Sequence, residues 1–175
     1  MVQSSPKRMR PCELYLVRHA VAAERGDDWP DDSKRPLTST GVSRFREVVK
    51  GLAWFDVGLD EIYASPLVRA QQTAELLSAG MEGKPAVRTL DALAPGHEPA
   101  EVVAELAKRV KRRRVAVVGH EPGLGELAAA LLGTSRALAF RKGGVCRIDV
   151  ERIGSSAGGS LIWFLPPKVL RRTGR

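Results

Sequence analysis

The chain has three histidines, and two of them, His19 and His120, each follow directly on an apolar run: Glu13–Arg18 (ELYLVR) ends at His19, and Val115–Val118 (VAVV) leads through Gly119 to His120. In open α/β sheets ligands bind beyond the carboxyl ends of the strands. Two imidazoles at equivalent strand ends can therefore face one crevice, with Ser65 at the end of a third run, residues 61–64. Arg18 adjoins His19. Arg69 lies in the first turn of a helix expected to open at Ser65-Pro66, where a cation opposes the helix dipole at a cost of about 0.3–1 kcal/mol. That placement makes sense if an anion sits at the helix N-terminus, and arginine's planar fork suits phosphate oxygens. The alternative is an ion pair between Arg69 and a nearby carboxylate such as Glu61.

Two arginines and two histidines around a phosphate imply phosphoryl transfer. One neutral imidazole attacks phosphorus to give a phosphohistidine that water later breaks. The other imidazole and the arginines stabilise the charge gathering on the equatorial oxygens. The expected catalytic set is Arg18, His19, Arg69 and His120, with Arg18, Ser65, Arg69 and His120 contacting the substrate. No HExxH, paired CxxC or P-loop occurs, so neither a metal nor a cofactor is expected. The cluster Asp27, Asp28, Asp31 and Asp32 could hold Mg²⁺ weakly, but such a stretch reads more simply as a solvated loop.

The positioning elements follow from the hydrophobic pattern. Residues 13–18, 61–64, 86–88, 115–118, 146–150 and 161–164 read as strands. Helical spacing covers 41–55, with Val42, Phe45, Val48, Val49 and Leu52 on one face, then 66–78, 99–112 and 124–132. Ser65 reads as the N-cap and Pro66 as the first position of the second helix. Residues 22–36 and 90–98 are loops, and 154–159 a flexible connection. Strands alternating with helices predict an α/β fold with a mostly parallel sheet.

At 175 residues the chain suits one domain. The net charge of +8 is concentrated at the ends: residues 1–12 carry three cations, residues 166–175 carry four, and neither carries an acid. The expected organisation is a basic tail over 1–12, one domain over 13–165 and a basic tail over 166–175. A cationic stretch, Lys108 to Arg114, could contact RNA, but cations also suit a helix C-terminus. The few aromatic residues fall mostly in apparent core segments and offer no stacking platform, so no specific nucleic acid is expected as partner. Two cysteines, Cys12 and Cys146, read as buried thiols in a reducing compartment. No stretch approaches 18 apolar residues and the N-terminus is no signal peptide, which predicts a cytoplasmic protein without a membrane span.

The segments LVRHA (16–20), RPLTSTG (35–41), YASPLVRAQQTAELL (63–77) and VVGHEPGL (117–124), in that order, resemble the histidine phosphatase superfamily, and most closely its small SixA-type phosphohistidine phosphatases. The resemblance covers residues 13–165. It implies a three-layer α/β/α sandwich, phosphoglycerate mutase-like, with one antiparallel strand, His19 as the phosphorylated nucleophile, and Arg18, Arg69 and His120 as phosphate ligands. Ala20 replaces the usual glycine of the first motif. Larger members carry a glutamate proton donor after the middle strand, where this chain offers only Asp91, His97 and Glu98.

A missing acid bears on substrate, because an alkoxide leaving group needs a proton in the transition state, whereas a phosphorylated imidazole can be protonated from solvent. The chain also lacks insertions to enclose a small substrate. The expectation is a metal-independent phosphatase acting on phosphohistidine of a partner protein. The alternatives are a small-molecule phosphomonoesterase and a non-catalytic phosphoprotein-binding module.

Overall fold

The computed structural model describes residues 11–155 and 158–174. Its centre is β1 (Cys12–Arg18), which pairs in parallel with β4 (Arg114–Gly119) on one side and antiparallel with β5 (Val145–Val150) on the other. Outward from β4 lie β2 (Glu61–Ala64) and β3 (Ala86–Thr89), both parallel, and beyond β5 lies β6 (Ser160–Leu165). The six-stranded order is β3-β2-β4-β1-β5-β6, with β5 alone opposed to the rest. Alternate residues of β1 face opposite layers. Tyr15 and Val17 meet α1 (Ser39–Trp54), α2 (Val68–Ala79) and α5 (Pro167–Thr173), while Leu14 and Leu16 meet α3 (Pro99–Arg109) and α4 (Gly123–Leu132). Both faces are therefore covered, which is why β1 and β4 read as near-continuous apolar runs. This is the expected three-layer α/β/α sandwich.

Three expectations change. The stretch from 166, read as a basic tail, contains α5, because fully buried Leu170 anchors it in the core beside α1 while Lys168 and Arg172 stay exposed. There α1 approaches so closely that a β-carbon on Gly51 would lie 2.0 Å from the Leu170 carbonyl oxygen. The second helix begins at Val68 rather than at Pro66. Ser65 lies two residues before its N-cap, Leu67, and its hydroxyl sits between the Leu67 amide and His120. The third helix ends at Arg109, so the cationic stretch divides between helix, turn and strand. Lys108 and Arg109 pair with Glu105, Arg113 with Glu13 and Arg114 with Asp60, so four of the six cations already have carboxylate partners. The N-terminal basic stretch lies outside the described residues through residue 10.

Candidate active site

Parallel pairing places Arg18 opposite Gly119, so His19 and His120 each leave the sheet one residue beyond a matched pair. The His19 amide donates to the Gly119 carbonyl at 3.0 Å. The two rings lie 5.1 Å apart between centroids and both residues are buried. Arg18 and Arg69 join them in an open crevice of about 540 Å³. Four of the five residues expected to contact substrate or reacting atoms thus converge.

Ser65 stands apart from the other four. It is fully buried and absent from the crevice lining. Its hydroxyl lies 2.8 Å from His120 Nε2 and accepts from the Leu67 amide at 3.3 Å. Among the described residues the hydroxyl proton has no other acceptor, so it is donated to Nε2. The His120 proton then resides on Nδ1, which is buried without a partner. A neutral His120 is thereby left with an N–H that no described residue accepts.

His19 has the complementary arrangement. Its Nδ1 faces the Ala20 carbonyl at 2.7 Å, and a carbonyl only accepts, so Nδ1 carries the proton and Nε2 keeps a lone pair. Burial lowers the His19 pKa to about 4, with Arg69, Arg18 and Lys142 adding to the effect and the Ala20 hydrogen bond opposing it. Burial likewise lowers His120 to about 3, reinforced by His19 and Arg69. Both rings are neutral near pH 7, one presenting a nucleophilic nitrogen and the other an N–H. Ala20, the departure from glycine, packs its methyl in the core while its backbone does the work: its amide donates to Thr73 Oγ1 at 3.1 Å, and that hydroxyl donates to the Arg69 carbonyl at 2.7 Å. One buried hydroxyl therefore joins the strand end bearing His19 to the helix bearing Arg69.

Arg69 is 3% exposed and does pair with a carboxylate, though not with Glu61, which lies near Arg88. Its Nη2 donates to Asp32 Oδ2 at 2.9 Å and its Nη1 to the Asp32 carbonyl at 2.7 Å, leaving Nε buried without an acceptor. Asp32 also accepts from Arg25 and Arg35. Burial pushes the Asp32 carboxyl upward, but Arg69 and Arg35 outweigh it and hold it below its usual range. Asp32 is thus an organiser of arginines, not part of a metal cluster, and among the described residues no three histidine, cysteine, aspartate or glutamate side chains come together to hold an ion. Arg18 donates through Nη1 to the Phe140 carbonyl at 2.6 Å, and its Nε is also buried and unpartnered.

The crevice wall includes residues the sequence did not single out: Arg25, Arg35, Lys142 and Glu121. Glu121 was visible beside His120 in the motif, but nothing in the sequence distinguished it from a surface acid. Burial raises its carboxyl pKa, against the pull of the Phe140 amide and Arg18. Asp91, His97 and Glu98 do not line this crevice, but His97 and Glu98 line an adjoining cavity together with His120 and Glu121, and His97 pairs with Glu101 at 3.0 Å. Cys146 is buried and Cys12 half-buried, and neither is in a disulfide; burial pushes their thiols up to about 12 and about 11. No described helix is long and apolar enough to cross a membrane.

The family description "Histidine phosphatase superfamily (branch 1)" matches residues 14–94. An uncharacterized protein of Picosynechococcus sp. is 35% identical over 164 residues, covering 90% of this chain and 98% of its own. The phosphohistidine phosphatase SixA of Escherichia coli is 26% identical over 157 residues, covering 89% of this chain and 94% of its own. A solved structure of the protein histidine phosphatase SixA complexed with tungstate superposes with a TM-score of 0.78 at 26% identity, covering 90% of this chain and 99% of that one.

Proposed function

Since this chain belongs to the histidine phosphatase superfamily, we propose that it is a metal-independent, cytoplasmic phosphatase that removes phosphate from phosphohistidine on a partner protein through an intermediate on His19. The observation that carries this reading is the opposed hydrogen bonding of two buried imidazoles, His19 Nδ1 on the Ala20 carbonyl and His120 Nε2 on the Ser65 hydroxyl with Nδ1 unpartnered, beside two arginines whose Nε atoms lack acceptors. The similarity to SixA proteins supports the substrate class.

In the first step His19 Nε2 attacks phosphorus, the phosphorus–nitrogen bond to the substrate imidazole breaks, and the departing nitrogen takes its proton from solvent. Arg18, Arg69 and His120 Nδ1–H donate to the phosphoryl oxygens as charge builds on them. In the second step water attacks phosphorus and loses its proton to solvent. The bond to His19 breaks, inorganic phosphate leaves, and the imidazole recovers its lone pair. A second reading, small-molecule phosphomonoester hydrolysis, is favoured by one observation: Glu121 places a carboxyl with a raised pKa in the crevice, where it could protonate an alkoxide.

A substrate panel tests both. Phosphohistidine peptides should turn over while phosphoserine peptides and sugar phosphates stay nearly inert, with and without EDTA. Rapid quench should trap an acid-labile phosphoprotein that is absent in His19→Ala. Efficient alkyl phosphate hydrolysis abolished by Glu121→Gln would favour the second reading. Full activity of His19→Ala, or loss in EDTA restored by Mg²⁺, would refute the mechanism.

A further inference from the structure

A second, smaller pocket of about 90 Å³ opens beside the crevice, behind the segment that leaves His19. Ala20 and Val21 form part of its floor, and its charged lining residues are Arg44 of α1, Lys142 and Arg171 of α5, with no acid among them. None of these three side chains has a carboxylate or hydrogen-bond partner among the described residues, in a chain where most arginines near the sheet are paired. Arg44 and Lys142 are exposed, but Arg171 is half-buried and its Nε–H is shielded from water without an acceptor. A buried donor left unmatched costs about 1–3 kcal/mol, and gathering three like charges around one concavity adds repulsion. Both costs fall away when an oxyanion occupies the space.

The pocket is built rigidly. Gly41 lies so close to the Val21 carbonyl that a β-carbon there would stand 2.0 Å from its oxygen, which pins the start of α1 against the floor. The Gly143 amide donates to both the Arg18 and His19 carbonyls at 3.1 Å, fixing the backbone next to Lys142. Lys142 also lines the catalytic crevice, so one cation is shared by the two cavities.

We propose that the pocket between Arg44, Lys142 and Arg171 is a second anion site that takes one phosphate- or carboxylate-sized group. The occupant is either a second acidic group on the substrate, reaching across Lys142 from the crevice, or a free anion. The site does not depend on which phosphorylated substrate the crevice accepts.

Titration calorimetry of the full chain with inorganic phosphate tests the site. The expected result is a binding event weakened at least tenfold by Arg44→Ala and by Arg171→Gln, yet retained in Arg69→Ala, which disturbs only the crevice. Arg44 is exposed, so its replacement leaves the fold intact even if the Arg171 variant loosens α5. Peptide kinetics then identify the occupant. A KM raised by these variants only for phosphohistidine peptides bearing a neighbouring acidic residue assigns the site to the substrate, and unchanged KM values assign it to a free anion. If no phosphate-binding event responds to Arg44→Ala or Arg171→Gln, the site does not exist.

Discussion

Ser65→Ala probes the device that gives His120 its donor. In the native protein the Ser65 hydroxyl occupies His120 Nε2 at 2.8 Å and forces the proton onto Nδ1. Alanine removes that proton and fills almost the same space, so packing is conserved while Nε2 is left without a partner in a site closed to water. A lost buried partner costs about 1–3 kcal/mol. At about 1.4 kcal/mol per factor of ten, kcat/KM should fall roughly fivefold to 150-fold if the full cost appears in the transition state. Some of it will appear as lower stability, since the Leu67 amide loses its acceptor too. The readout that separates positioning from packing is nitrogen-15 NMR of the histidine rings. Wild type should show His120 protonated on Nδ1, and Ser65→Ala a mixture or a switch to Nε2. Wild-type kcat/KM together with an unchanged His120 tautomer in Ser65→Ala would refute the reasoning.

Further outcomes follow from the same geometry. His19 and His120 are held neutral at folded pKa values of about 4 and about 3, below the unfolded value near 6.5. As pH falls through 6.5 the unfolded chain gains protons that the folded chain refuses, so stability should drop between pH 6.5 and 4 by up to about 1.4 kcal/mol per pH unit for each ring. Denaturant titrations should show about half the wild-type slope from pH 6.5 to 5 in a variant lacking one ring, and parallel curves would count against it. Arg69→Ala removes a charged donor from a desolvated site and should slow turnover about a hundredfold or more, with weaker vanadate inhibition; Arg69→Lys cannot reproduce the grip on Asp32 and should recover little. Alanine at Asp91, His97 or Glu98 should leave phosphohistidine hydrolysis within about tenfold, below the 10²–10⁴ of a lost general acid.

The sequence revealed the parts of the site that local pattern controls. His19 and His120 stood out because each follows an apolar strand, and Arg69 because a cation sits awkwardly in a first helical turn. What it concealed depends on contacts distant along the chain. Asp32 looked like one of four acids in a loop, and nothing local shows that it meets Arg69, 37 residues away. Arg113 and Arg114 looked like part of a solvated run, because their partners Glu13 and Asp60 precede them by 100 and 54 residues. The start of α2 was misplaced because a serine before a proline is an ordinary cap, whereas here its hydroxyl also meets a histidine 55 residues later. Residues 166–173 read as a tail because four terminal cations outweighed a single anchoring residue, Leu170.

The central position of β1 has a consequence for how the protein meets its substrates. His19 follows β1, His120 follows its neighbour β4, and the turn bearing Lys142 leads into its other neighbour, β5. These groups are tied by ladders of main-chain hydrogen bonds in the interior of one sheet, not carried on separate bodies that must close. The chain therefore meets most of the ordering entropy of the reactive constellation when it folds, not each time a substrate arrives. The surrounding loop, residues 22–36, supplies Arg25 and Arg35 to the crevice wall and Asp32 to Arg69. Selectivity can then be rebuilt by changing that loop, while the spacing of the two rings stays fixed by the strands beneath them.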